Sequence, residues 1–539
     1  MPVGSASLAP MAGSALRLDY ASPLPPVRSG IADYSRDLLP HLAPLCDLRL
    51  LLLPGQEVEE EFLSTYATAP LDAPGEGRLP LYQMGNNRYH AAVHAAAMEQ
   101  PGVLVLHDLV LHHFLLDRTV GRGDVESYRE ALARDHGWIG EAAARPVGFG
   151  GFGMAAQFAL GAHRTLARRQ RGLVVHSAWA AAELAEEDPE LAVRAVPMGI
   201  PLPPAADEAA GRAFRERFGV PAAAPLLGSF GFQTPIKRTE AVIRALAAPG
   251  LERVHLVVAG ELSPYVFYER EAREAGVADR VHLTGFLPYA ELEAAIAASD
   301  LALNLRYPTA GETSASLLRV LAVGRPVIVS DYGQFAELPD EVAVRVELGE
   351  GESERLAAAV RELLGRGEAL AAMRSAARRH VAVAHDPERA ARALLDAVAD
   401  LAGREPPGDR EARVPPPTSV TWGSFPGCLE VAGAERPWPE GERRRLRLAL
   451  ENRSPALWLA GERGPGGVVF ELQLRTPAGD LLAGRPWPPL SRDLSPGERA
   501  VVTVEVRRPP GRAHLRIEPH VLGLAGFSTL GGPVWETEL

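Results

Sequence analysis

The sequence predicts an α/β protein built from two doubly wound parallel sheets, followed by a separate all-β domain. Three observations carry that expectation. Short apolar runs alternate with helix-length segments through residues 16–402, the runs are continuous in Val, Leu and Ile, and the texture changes after a Pro-rich stretch at 403–419. Continuous apolar strands suit a sheet covered on both faces, and a βαβα order builds one.

The first series of runs is 47–53, 102–107, 172–176 and 194–197; the second is 225–230, 253–259, 280–284, 300–305 and 326–330. Amphipathic stretches at 237–248, 288–298, 353–365 and 387–402 read as helices. Between the two series, Pro201, Pro203 and Pro204 lead through a short helix at 210–218 to Pro221, the composition of an interdomain hinge. Beyond the linker, 444–450, 468–474, 500–506 and 513–518 are short, often alternating and separated by Gly and Pro, as in an antiparallel sandwich. The expected divisions are a Rossmann-like domain at 1–202, a second at 203–402, the linker 403–419 and a β-sandwich module at 420–539.

Composition narrows the function. A chain of 539 residues exceeds one core, and a net charge of 56 − 68 = −12 argues against nucleic acid as a partner. There is no run of about 18 apolar residues, so no transmembrane helix is expected. The first fifteen residues lack a basic n-region and read as a ragged start rather than a signal peptide. Cys46 and Cys428 lie far apart and form neither a disulfide framework nor a metal site, which fits the cytoplasm.

Three segments place small residues and charges at helix starts. Ser29 and Gly30 open a helix expected to end near Leu39, before Pro40. Free N–H groups at such a start favour an anion, and a plain turn with an N-cap leaves the same trace. The run 227–238 is a strand, a turn containing Gly231 and a helix opening on Lys237 and Arg238. Two cations there oppose the helix dipole, a conflict that a diphosphate resolves. The run 306–326 passes from a strand end through Arg306, Gly311 and Glu312 to a helix at 314–323 capped by Thr313 and Ser314, then leaves by Gly324-Arg325-Pro326. Ligands of open α/β sheets bind beyond the carboxyl ends of the strands, where those N–H groups point.

In this order the segments resemble the retaining glycosyltransferases of GT-B fold, a family that includes bacterial glycogen synthases, sucrose synthases and many lipopolysaccharide and mannosyl transferases. The resemblance spans 16–400. Gly30 matches the family's first-domain turn facing the donor phosphates, Gly231 with Lys237 keeps the spacing of the second-domain turn, and Gly324 and Pro326 match the end of the third segment. The runs 82–87, 105–108, 175–177 and 306–314 resemble a bacterial subgroup. Two departures stand out. Phe232 replaces an arginine, and the family's two glutamates fall on Gly311 and Arg319, with Glu312 one residue from the first.

The resemblance implies transfer of a hexosyl group from a nucleoside diphosphate sugar to an acceptor hydroxyl, with retention and without metal or other cofactor. It points to polysaccharide, glycolipid or envelope synthesis. His107, Glu312 and Lys237 become the catalytic candidates, and Gly30, Gly231, Arg238, Gly311, Thr313, Ser314 and Arg319 the donor-binding ones. His107 ends a parallel strand and would face the interdomain cleft, or else is a structural histidine. The partners implied are a nucleotide sugar and a carbohydrate or lipid-linked acceptor, met in the cytoplasm or by peripheral association at the inner face of the membrane. Arg319 and Phe232 favour an alternative, a catalytically inactive carbohydrate-binding or envelope-assembly protein of the same fold. A two-domain epimerase fits the third segment less well.

Several features read as bland. His107, Asp108, His112 and His113 match no metal-ligand spacing, and the family works without a bound metal. The run from Gly148 to Gly153 satisfies G-x-G-x-x-G but follows a helical stretch at 128–144 instead of a strand, and reads as a flexible loop. Trp422, Trp438, Trp458 and Trp487 read as core of the β-module rather than a sugar-stacking platform. Through Leu450-Glu451-Asn452, Trp458 and the run 494–498, that module resembles sandwich modules attached to some bacterial glycosyltransferases.

Overall fold

The structure, a computed structural model, describes residues 16–539 apart from 74, 145–146, 148–153, 205–206, 410–417, 420–423, 462–465, 485–487 and 523–524. The first fifteen residues, the glycine run 148–153, most of the linker's second half, Trp422 and Trp487 lie outside the described residues. The chain forms two compact units, 1–123 with 154–410 and 124–153 with 411–539.

The first unit holds two parallel sheets. One contains β1 (Arg17–Ala21), β2 (Asp47–Leu52), β3 (Ala67–Pro70), β4 (Leu79–Met84), β5 (Val103–Leu106), β6 (Gly172–Val175) and β7 (Val193–Ala195), in the order β3-β2-β1-β4-β5-β6-β7. The other contains β8 (Leu226–Phe230), β9 (His255–Ala259), β10 (Val281–Gly285), β11 (Leu301–Asn304), β12 (Val327–Ser330) and β13 (Ala343–Val346), in the order β10-β9-β8-β11-β12-β13. In each sheet the winding reverses beside the first strand, so β1 lies between β2 and β4, and β8 between β9 and β11. Crevices open at the carboxyl ends of strands on either side of such a reversal. The continuous apolar runs became these strands because both faces are covered: β5, β8, β11 and β12 are buried along their whole length.

Four strands escaped the apolar pattern. β1 carries Asp19, β3 ends on Pro70, β4 contains Pro80 and β13 contains Arg345. Asp19 is fully buried, yet its charge is met: Arg49 donates from Nε at 2.9 Å and Nη2 at 2.7 Å, Arg78 from Nε at 2.7 Å, and the Gly75 N–H at 2.8 Å. This cluster ties β1 to β2 and to the entry of β4. The first helix, Gly30–Leu42, also runs past its expected end, because Pro40 falls in the last turn and Ala43 N–H still closes onto Leu39 O.

The helix Pro387–Ala402, capped by Asp386, follows the second sheet in sequence but packs on the first. Gly172 permits this, since a Cβ there would stand 2.4 Å from Leu401 Cδ2. The chain thus crosses back over its starting sheet before the linker.

In the second unit, Gly427–Ala432, Arg443–Asn452 and Arg499–Arg507 form a three-stranded antiparallel sheet. Gly467–Arg475, His514–Val521 and Trp535–Glu538 belong to a second sheet. Leu446, Leu448, Leu450 and Val504 from one sheet share a core with Phe470, Leu472, Leu515 and Ile517 from the other, so the unit is a sandwich. Trp438 and Trp458 are buried in that core. Asn452 bonds Ala456 O at 2.6 Å and Leu494 O at 2.8 Å, and accepts from Ser454, whose hydroxyl receives the Trp458 indole N–H at 2.9 Å.

Removing Asp19 takes from Arg49 and from the buried Arg78 the carboxylate they share, and leaves Arg78 with the carboxylate of Asp47 alone. Asp19→Ala is expected to cost about 3–5 kcal/mol in a urea denaturation; a loss under about 0.5 kcal/mol, the scale of a surface substitution, contradicts the role given to this cluster.

Candidate active site

The candidate site starts from the ends of β8 and β9. Beyond β8 the backbone turns at Gly231 (φ +89), whose N–H bonds Ala259 O at 2.9 Å. A Cβ on Gly260 would lie 2.0 Å from Gly231 O, so two glycines are needed for the chains to approach this closely. Lys237 ends the short turn Pro235–Lys237 and folds back, buried, to donate from Nζ to Phe230 O. A Cβ on Gly231 would stand 3.1 Å from Lys237 Nζ and 3.6 Å from Ser316 Oγ, which places the turn, the amine and the next helix together. Burial holds the Lys237 amine well below its usual pKa, and Arg306 adds to this while Glu312 opposes it.

Arg238 does not join Lys237, contrary to expectation. It takes a left-handed conformation (φ 55), starts the helix Thr239–Ala245, and donates from Nε to Glu352 at 2.7 and 2.9 Å. Its charge is satisfied inside the second domain.

The third segment forms as expected in outline. β11 ends at Asn304, whose Oδ1 accepts from Ser314 Oγ at 3.1 Å. Its Nδ2 is buried and has no hydrogen-bond partner among the described residues. Ser314 alone caps the helix Ala315–Val323, accepting from Leu317 N–H at 3.3 Å; Thr313 precedes the cap. The helix keeps N–H groups of its first turn available beside Lys237.

Glu312 is more constrained than a sugar-binding carboxylate would be. One oxygen lies 2.8 Å from Arg306 Nε, and the other accepts from Thr309 Oγ1 and Ala310 N–H, each at 3.0 Å. Gly311 (φ +80) lies against the first domain, where a Cβ would strike Leu109 at 2.5 Å. The Val110 N–H donates to Ala310 O at 3.0 Å, so the loop after β5 is bonded to the loop after β11.

On the first-domain side, His107 is turned inward instead of toward the cleft. Its Nε2 meets Gln83 Oε1 at 2.8 Å, and its ring packs against Tyr34 at 4.8 Å and His176 at 4.9 Å. Burial, with His176 and His90 nearby, holds it well below the usual imidazole pKa. The next residue, Asp108, reaches the site. It is partly exposed, its Oδ2 accepts from Asn86 N–H at 2.8 Å, and burial together with Glu312 pushes its pKa up to about 7.

Two further positions lie apart from this cluster. Gly30 has no atom within 4 Å of where its Cβ would stand, and Ser29 caps the helix onto Ile31 N–H at 3.3 Å. Arg319, at the position of the family's second glutamate, donates to Asp37 Oδ2 at 3.0 Å and lies 5.0 Å over the Tyr289 ring. It joins the two domains instead of presenting a carboxylate.

The structure therefore brings together Gly231, Lys237, Ser314, Gly311 and Glu312 and leaves His107, Arg238 and Arg319 committed elsewhere. Asn304, Ser316 and Asp108 were not singled out from the sequence as site residues, although Asn304 ends a parallel strand, Asp108 closely follows one and Ser316 lies in the first turn of a helix.

The fold is GT-B. Residues 224–366 match the family described as glycosyl transferases group 1. The solved structure of a sucrose-phosphate synthase from Thermosynechococcus elongatus superposes with a TM-score of 0.51 at 16% identity, over 72% of this chain and 99% of that one. A glycosyltransferase from Rickettsia africae ESF-5 gives 0.50 at 11% identity, over 72% and 99%. Among curated proteins no sequence matches. At these identities the structural likeness speaks for the GT-B architecture, and the family match covers the sheet that carries Gly231, Lys237 and the helix Ala315–Val323.

The Arg319–Asp37 contact yields a direct test. A double-mutant cycle between Arg319→Ala and Asp37→Ala, read by chemical denaturation, is expected to give a coupling of about 0.5–3 kcal/mol; additive losses would mean that the GT-B domains do not use this pair.

Proposed function

We propose that the protein is a retaining glycosyltransferase, moving a hexosyl group from a nucleoside diphosphate sugar to an acceptor hydroxyl in polysaccharide, glycolipid or envelope synthesis. One observation carries this reading: a desolvated lysine amine beside the start of the helix Ala315–Val323, with glycine backbone against it. A diphosphate fits that place because it supplies the charge that returns Lys237 to its ammonium form. Glycine lets phosphate oxygens approach the main chain, and the helix N-terminus offers N–H groups and a favourable dipole.

Negative charge grows on the diphosphate as the sugar leaves, so donors already aimed at it lower the barrier. Lys237, the first-turn N–H groups and the Asn304 amide would supply this stabilisation from the chain itself, which is the basis for proposing a metal-independent reaction with no further cofactor. Glu312 orients Arg306 and shapes the loop rather than holding the sugar directly. Residues 1–202, with the helix Pro387–Ala402 packed on their sheet, take the acceptor side and the rest of 203–402 the donor side, with closure about 201–224 excluding water. No helix among the described residues is long and apolar enough to cross a membrane. Action in the cytoplasm, on a carbohydrate or on a lipid-linked acceptor reached by peripheral association with the inner face, is part of the same proposal.

A second reading, a carbohydrate-binding or envelope-assembly protein without catalysis, is favoured by Arg319, whose pairing with Asp37 leaves no carboxylate at the usual ribose position. A panel of UDP-, GDP- and ADP-sugars separates the two. The first reading expects one donor to raise the melting temperature by mass action and to be turned over. Lys237→Ala is expected to reduce that turnover by about 100-fold or more while the circular dichroism stays unchanged. Stabilisation without turnover supports the second reading, and unchanged turnover in the variant removes Lys237 from the mechanism.

A further inference from the structure

We infer that the outer face of the sandwich's second sheet is a binding site for an uncharged carbohydrate chain, a function beyond the transferase reading and independent of it. The strands Gly467–Arg475 and His514–Val521 send Leu472, Leu474, Leu515 and Ile517 into the core. Side chains alternate along a strand, so Gln473, Arg475, His514, Arg516 and Glu518 point the other way. With Glu536 of the strand Trp535–Glu538 they line a cavity of about 500 Å³, a size that ligand sites have. The register sets Gln473, Arg516 and Glu536 in one row and puts Arg475 beside His514.

Contact with water alone does not account for this face. Glu518 is buried, and sinking a carboxylate costs desolvation unless partners are built for it. They are built here: Arg516 Nη2 donates to it at 2.7 Å and the Ser528 N–H at 2.8 Å. Gly526 lets that loop close over the carboxylate, because a Cβ there would strike Glu518 Oε1. Arg516 also donates to Glu536 at 3.1 Å. Arg475 donates to Gln473 Oε1 at 2.8 and 2.9 Å and to Gly479 O at 2.9 Å. The polar groups of the cavity are thus held in position in advance, which lowers the entropy lost when a ligand binds.

Charge and geometry select the ligand. Arg475 and Arg516 stand against Glu518 and Glu536, so the lining favours neither sign. A phosphate would meet the two carboxylates, and a metal ion the two guanidiniums. A sugar hydroxyl both donates and accepts, and flat guanidinium, carboxylate and amide groups grip neighbouring hydroxyls with paired hydrogen bonds. Capacity of both kinds remains in the lining: the Gln473 amide nitrogen and Glu536 Oε2 have no hydrogen-bond partner among the described residues. No aromatic ring lines the cavity, so recognition rests on hydrogen bonds rather than stacking.

The test titrates the full chain by calorimetry with maltohexaose, cellohexaose, laminarihexaose and mannohexaose. Tetragalacturonate, inorganic phosphate and calcium chloride serve as charged comparisons. At least one neutral hexasaccharide is expected to bind, and Gln473→Ala and Glu536→Ala are each expected to weaken it by about 2- to 10-fold. Both substitutions lie on the outer face and should leave the urea midpoint in place. Arg447→Ala, exposed on the outer face of the opposite sheet, should leave the affinity unchanged. Binding that survives both cavity substitutions puts the sugar elsewhere and overturns the inference. A charged ligand that binds in preference and is lost in these variants overturns it too, as does the failure of every neutral hexasaccharide to bind at millimolar concentration. Absence of donor turnover removes the transferase reading and leaves this one standing.

Discussion

A lysine amine enclosed by protein loses the hydration that ordinarily holds its charge, and it must either stay neutral or find an anion. Lys237 is in that position, with its Nζ turned to a backbone carbonyl and Arg306 nearby making protonation harder still. The surrounding architecture is what makes this tolerable. The strand before Lys237 ends in a glycine turn, a second glycine lets β9 press against it, and the helix Ala315–Val323 begins alongside. Each element leaves backbone donors where a negatively charged ligand would sit.

The same constraint explains how the domains meet. The loop between β11 and that helix folds around Glu312, which ties Arg306, Thr309 and Ala310 into one rigid piece. Gly311 and the Ala310 carbonyl then dock onto Leu109 and Val110 of the first domain. Arg319, within that helix, makes a second bridge to Asp37 of the first domain. The loop before the helix Ala315–Val323 is therefore shaped by contact with the segment that follows β5.

Much of the fold was legible because parallel strands covered on both faces leave continuous Val, Leu and Ile. β1 was missed for a physical reason: its Asp19 is buried, and the Arg49 and Arg78 that neutralise it come from distant segments. In the site, Gly231 and Lys237 could be read together because they are six residues apart on one strand–turn unit. Arg238 and Arg319 could not be read correctly, since their partners Glu352 and Asp37 lie 114 and 282 residues away. His107 and Asp108 show a finer limit. Sequence placed the pair at a strand end, but which one enters the cleft depends on Gln83, Tyr34 and His176 drawing the imidazole inward.

The central claim is that a diphosphate belongs between Lys237 and the first turn of the helix Ala315–Val323. A crystal structure of the chain with UDP, GDP or ADP, whichever binds, tests it directly. The account predicts phosphate oxygens within hydrogen-bonding reach of Lys237 Nζ and of the N–H groups of Ala315 and Ser316. A nucleotide whose phosphates lie elsewhere, with Lys237 still bonded to Phe230 O, would contradict it.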